Sequence, residues 1–160
     1  AQGLSFDSWE KVETEDEFGD KTGEFITRTF GKGTFSNSAT TGEDLIVRYS
    51  DYQEFSLMSL YEYASASNVA RMGLAANFGI IKVKLPSGEV LSFDTFAPKD
   101  GGLYFSKENY KKFSELMLDG KGQTIKVLVQ ESSFSKDYGR SKYNFTLTTM
   151  SAEEKTKFGM

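Results

Sequence analysis

Neither cysteine nor histidine occurs in this sequence. Their absence removes thiol nucleophiles, zinc held by Cys or His, the Ser–His–Asp triad and His-ligated haem. It also removes the one side chain whose ordinary pKa lies near neutrality. Proline is scarce, two residues in 160, so long stretches are free to pair in a sheet. Basic runs are missing as well. The net charge of −4, from 19 basic and 23 acidic residues, weighs against phosphate-backbone binding, which rests on clustered Lys and Arg. No nucleic-acid partner is expected. The longest uncharged apolar stretch, residues 72–81, falls well short of the roughly 20 residues that a spanning helix needs, and no lipidation motif is present. No membrane insertion is expected. The opening Ala1-Gln2-Gly3 lacks an initiating methionine, as after signal-peptide cleavage behind a small residue. A bacterial protein exported to the periplasm or beyond is the expectation.

What is abundant is aromatic. Fourteen Phe and eight Tyr favour half-buried pleated strands, and a chain of this length is expected to form one domain, residues 1–160. Trp9 and Val12 anchor an irregular first strand. Residues 18–23, FGDKTG, read as a turn. The next strand pattern is interrupted at Gly31 and Gly33, which predicts a bulge or bend. LIVRY puts Leu45, Val47 and Tyr49 on one face and Arg48 on the other, while residues 55–63 carry apolar groups on both faces. Residues 64–78 read as a loop or a weak helical turn. Later, IIKVKL and VLSFDTF flank the turn PSGE, and TIKVLVQ and KYNFTLT follow. Strict alternation in three of these segments predicts one-sided burial in an antiparallel sheet.

Residues 106–119 form one amphipathic segment. Ser106 is a plausible N-cap, and Tyr110, Phe113, Leu116 and Met117 recur at three- and four-residue spacing. Lys107, Lys111, Lys112 and Glu115 fall elsewhere, and Gly120 and Gly122 stop the helix. One apolar stripe predicts a lid on a sheet or barrel mouth. Near the end, Ser151 and Glu154 have capping-box spacing, which predicts a second, short and frayed helix. The expected fold is therefore all-β with one or two short helices: a mainly antiparallel sandwich of about eight strands, with helix 106–119 on an edge or end.

Candidate chemistry is sparse. Asp16, Asp20 and Glu24 have suggestive spacing for calcium, but Phe18 stands where an EF-hand loop needs oxygen and no glycine holds the sixth position; a solvated turn is the better reading, and no metal or cofactor is expected. A carboxylate-pair hydrolase needs no histidine; Glu62, Asp94 and Glu131 are its candidates, Asp94 standing between Phe93 and Phe96. Tyr49, Tyr52, Tyr61 and Tyr63 lie close in sequence and could present a recognition platform with polar tips; core packing is the commoner fate of strand aromatics. Arg48 and Arg71 are isolated cations in mostly apolar surroundings, and a carboxylate partner is expected for Arg48.

The Trp-led strand, LIVRY, VKLPSGEVLSF, GGLYFSKENYKKFSELML, IKVLVQ and YNFTLTTM follow in an order that resembles small exported β-sandwich domains of the VasI and invasion-associated locus B type. The likeness spans residues 9–152 and lies in pattern. It implies export and a sandwich, transfers no site residue, and departs in lacking the cysteines common in those families. Together these readings lead us to expect a non-catalytic exported interaction or ligand-binding domain, its partner a protein or glycan of the cell envelope. A small carboxylate-based glycan hydrolase is the alternative.

Overall fold

The structure, a computed structural model, describes residues 6, 8–36, 41–53, 55–62, 78–96, 102–105, 107–131 and 142–160. They form strands β1 (Trp9–Glu15), β2 (Lys21–Ser36), β3 (Glu43–Asp51), β4 (Ser56–Glu62), β5 (Phe78–Lys84), β6 (Val90–Phe96) and β7 (Gly102–Phe105). Helix α1 (Lys107–Met117) follows, then β8 (Thr124–Glu131), β9 (Lys142–Thr148) and helix α2 (Ala152–Lys157). The expected loop or helical turn at 64–77, Tyr63 and Ser106 lie outside the described residues.

All pairings between these strands are antiparallel, and they run in one sheet ordered β1-β2-β3-β4-β7-β6-β5-β8-β9, with a further ladder between β2 and β9. The all-β, antiparallel expectation holds. In place of two facing sheets there is one sheet, in which eight strands, β2 to β9, close into a ring and β1 is appended. The length of β2 makes this possible. Its edge pairs with β1 over Lys21–Thr29 and with β9 over Lys32–Ser36, so β1 and β9 share one edge end to end.

Gly31 and Gly33 stand where that edge changes partner. No break in register occurs there, contrary to the expected bulge. The glycines serve closeness: a Cβ on Gly31 would strike the Thr146 carbonyl oxygen, and one on Gly33 that of Asn144. Glycine in a strand often marks such close backbone approach, and here it lets β9 seal the ring.

Alternation fills the interior. Leu45, Val47 and Tyr49 on β3, Met58 and Leu60 on β4, Ile81 and Val83 on β5, Val127 and Val129 on β8, and Tyr143, Phe145 and Leu147 on β9 are all buried in one continuous core. An eight-stranded ring is just wide enough for side chains to fill it. The expected turn after β1 sits slightly earlier, at Asp16–Asp20, with β2 already running at Lys21.

Helix α1 is the predicted lid. Phe113 is fully buried, its ring centroid 4.5 Å from Phe105, 5.2 Å from Phe93 and 5.3 Å from Tyr49. Tyr110 and Met117 are buried beside it, whereas Lys111, Lys112 and Glu115 are exposed. The helix ends before Gly120, whose φ of 77° suits a residue without Cβ. Helix α2 has the predicted capping box between Ser151 and Glu154. It is tied down instead of frayed, because the Glu154 carboxylate also accepts the Trp9 backbone N–H at 2.6 Å while Trp9 Nε1 donates to the Thr148 carbonyl at 2.9 Å.

Candidate functional site

On β3 the inward alternation Leu45, Val47, Tyr49 continues to Asp51, a carboxylate only 2% exposed. Burying an unpaired charge is costly, and this one is fully paired. Ser114 Oγ donates to Oδ2 at 2.6 Å, Gln53 N to Oδ1 at 2.9 Å, Tyr110 Oη to Oδ1 at 3.0 Å and Tyr49 Oη to Oδ2 at 3.3 Å. Two of the donors ride on α1, so the carboxylate fastens the lid to the end of β3. Tyr110 and Ser114 are one helical turn apart, which aims both at the same point.

A carboxylate has about four lone-pair sites, and here two donors occupy each oxygen. Asp51 therefore has no free acceptor position with which to take a proton from a substrate or to ligate a metal. Its charge acts on its neighbour: burial, and next the Asp51 carboxylate, push the Tyr49 phenol well above its usual pKa. Tyr49 stays a neutral donor.

Beside this cluster lies a cleft of about 360 Å³ between the base of the β1–β2 ribbon, α1 and the chain after α2. Its walls are mixed: Phe25, Leu118, Phe158 and Met160 supply the apolar part, and Lys11, Thr27, Gln53, Tyr110, Ser114 and Asp51 the polar part. Lys11 Nζ lies 4.4 Å from the Phe25 ring centroid and donates to the Phe158 carbonyl at 2.9 Å, leaving two of its three donors. Gln53 has φ +76°, a region that residues with a Cβ seldom adopt. Its N–H bond to Asp51 holds it there, and such outliers gather at ligand-binding positions.

Of the expected platform, the three described tyrosines, Tyr49, Tyr52 and Tyr61, are not brought together. Tyr49 is fully buried, its ring 5.9 Å from Trp9, so it belongs to the core and cannot meet a ligand at the surface. Tyr52, partly exposed, stacks on Phe55 at 4.6 Å in the β3–β4 hairpin. Tyr61 stands half-buried on the outer wall beside Arg48, 5.8 Å away. Among the described residues Arg48 has no ion pair, so the expected carboxylate partner is not found there; the salt bridges among them are Lys21–Glu15 and Arg28–Glu10. Of the hydrolase candidates, Glu62 is paired with Leu45, Asp94 with Ile80 and Glu131 with Gly79 along the ladders; their side chains lie outside the description.

In the β1–β2 turn, Asp16 Oδ1 accepts the N–H groups of Phe18 and Asp20, each at 2.9 Å. Among the described residues, no three acidic groups converge in a manner suited to a metal ion. Phe18 at this tip is exposed alone, as single surface apolar residues commonly are.

Sequence reasoning passed over Asp51, Ser114, Lys11 and Gln53. For Asp51 a signal was present: an acid in phase with three inward apolar residues is a buried acid in need of donors. Ser114, likewise, shares a helix face with Tyr110 and Met117. Lys11 and Gln53 carry no comparable signal. Comparison with protein-family models, with curated proteins and with solved structures finds no match to this chain.

Proposed function

We propose that this chain is a non-catalytic binding domain that holds its ligand in the cleft beside Asp51. The observation that carries the reading is the saturation of that carboxylate. Among the described residues lining the cleft it is the one acid, and all its acceptor positions are taken, two of them by donors of the lid. Paired-carboxylate hydrolysis needs two acids facing one bond, so the chemistry of this cleft favours binding over turnover. The cleft also has the size of a small-ligand site, with apolar and polar groups in comparable share. A ligand with an apolar face and an acceptor for Lys11 fits it, as a sugar ring or a short peptide segment would. The setting we propose is the cell envelope or exterior, which fractionation of cells carrying the tagged protein checks.

The test places a photo-crosslinking benzoylphenylalanine at Phe25, on the cleft wall, and another at exposed Glu43, at the far end of β3. Irradiation in envelope extract should give a discrete adduct from position 25 and none from position 43. Equal labelling from both positions, or none from either, would defeat the proposal. So would turnover of a glycan substrate that disappears in a folded Asp51→Asn variant.

A further inference from the structure

The outer wall of the ring carries a cation that no carboxylate among the described residues compensates. Arg48 lies on the face of β3 opposite to Asp51 and the cleft, in register with Phe30 on β2 and Ser59 on β4. Tyr61, two residues beyond Ser59, takes the diagonal position, and its ring centroid is 5.8 Å from the guanidinium carbon. Ile46, Ser50 and Ser59, the neighbours of Arg48, are buried. Arg48 is itself half-buried, and its Nε is out of contact with solvent and has no hydrogen-bond partner. Among the described residues no carboxylate pairs with it.

Polar groups taken from water normally find partners, and a charged one needs them most. The Tyr61 ring offers cation–π attraction but no acceptor in the plane of the guanidinium. A planar fork of donors held on an aromatic ring, with a serine beside it, is suited to a group bearing two acceptor oxygens. We propose that Arg48 anchors an oxyanion-binding site on the outer wall of β3 and β4, which takes the carboxylate or phosphate group of a small ligand. Tyr61 holds the guanidinium plane, and Ser59 stands in register to add a hydroxyl. The site is independent of the cleft.

Thermal melts at constant ionic strength test it, with chloride replaced stepwise by acetate in one series and by inorganic phosphate in another. Binding to the folded state raises the melting temperature in a saturable way, by about 5–11 °C at about one hundred times Kd. General salting-out by phosphate is a separate effect that does not depend on Arg48. The wild-type protein should show the saturable rise with at least one of the two anions, and the series that responds identifies the ligand group. Arg48→Met and Arg48→Gln should lose that rise while melting no lower than wild type in chloride, since they remove a charge with no partner. Arg48→Lys, which keeps the charge and loses the fork, should need a several-fold higher anion concentration. Equal rises in wild type and Arg48→Met, or none with either anion, would overturn the proposal. So would a large loss of stability in chloride for both neutral variants, because Arg48 would then be structural.

Discussion

Replacing Asp51 by alanine tests the central clamp most directly. The side chain is buried and receives four hydrogen bonds between 2.6 and 3.3 Å. A hydrogen bond to a charged group contributes roughly 1.5–3 kcal/mol, with the long Tyr49 contact at the weak end. Straight addition overshoots, since the four share one acceptor and are not independent. Removing the acceptor leaves buried neutral donors unsatisfied, at about 1–3 kcal/mol for each such group, and about 3–5 kcal/mol in all, allowing for non-additivity, is the expected loss for Asp51→Ala in urea melts at pH 7. It is a large part of the roughly 5–15 kcal/mol that holds a domain folded. Ser114→Ala removes a single donor and should cost about 1–3 kcal/mol, and the double variant should show coupling of about 0.5–3 kcal/mol. Because two donors lie on α1, hydrogen exchange should report loosening of that helix first. A cost below about 1 kcal/mol for Asp51→Ala, or α1 amides no more exposed than those of β8, would refute the clamp.

Phe113→Ala should cost about 3–5 kcal/mol through the cavity left among Tyr49, Phe93 and Phe105, whereas Lys112→Ala on the exposed face should stay within about 0.5 kcal/mol; similar urea midpoints for the two variants would show that the lid is not seated as described. The raised pKa of Tyr49 gives a pH signature. In the folded state the phenol keeps its proton above the unfolded value of about 10, so the associated stability is complete below that pH and is lost as pH climbs toward the higher folded value. Melts from pH 8 to 11.5 should show a steeper alkaline decline for wild type than for Tyr49→Phe, and parallel curves would count against the assignment.

Much of this protein was written locally. Period-two alternation in β3, β5, β8 and β9 foretold which side chains turn inward, because strand geometry sends successive residues to opposite faces whatever the sheet becomes. The stripe on α1 foretold the lid, and the Ser151–Glu154 spacing foretold the cap of α2, since both depend on residues within a turn or two of each other. Closure was of another kind. Whether strands make two sheets or one ring depends on which distant edges meet, and β2 meets β9 across more than one hundred residues of chain. In the sequence Gly31 and Gly33 looked like a bulge or bend; only the arrival of the Thr146 and Asn144 carbonyls shows the clearance they give. The same holds for the candidate sites. Asp51 could be read as an inward acid, but three of its four donors come from the turn that follows it and from a helix some sixty residues on. Arg48 could be read as outward, but that no carboxylate among the described residues meets it is a property of the folded wall. Alternation settles the face a residue takes, and tertiary structure settles what it finds there.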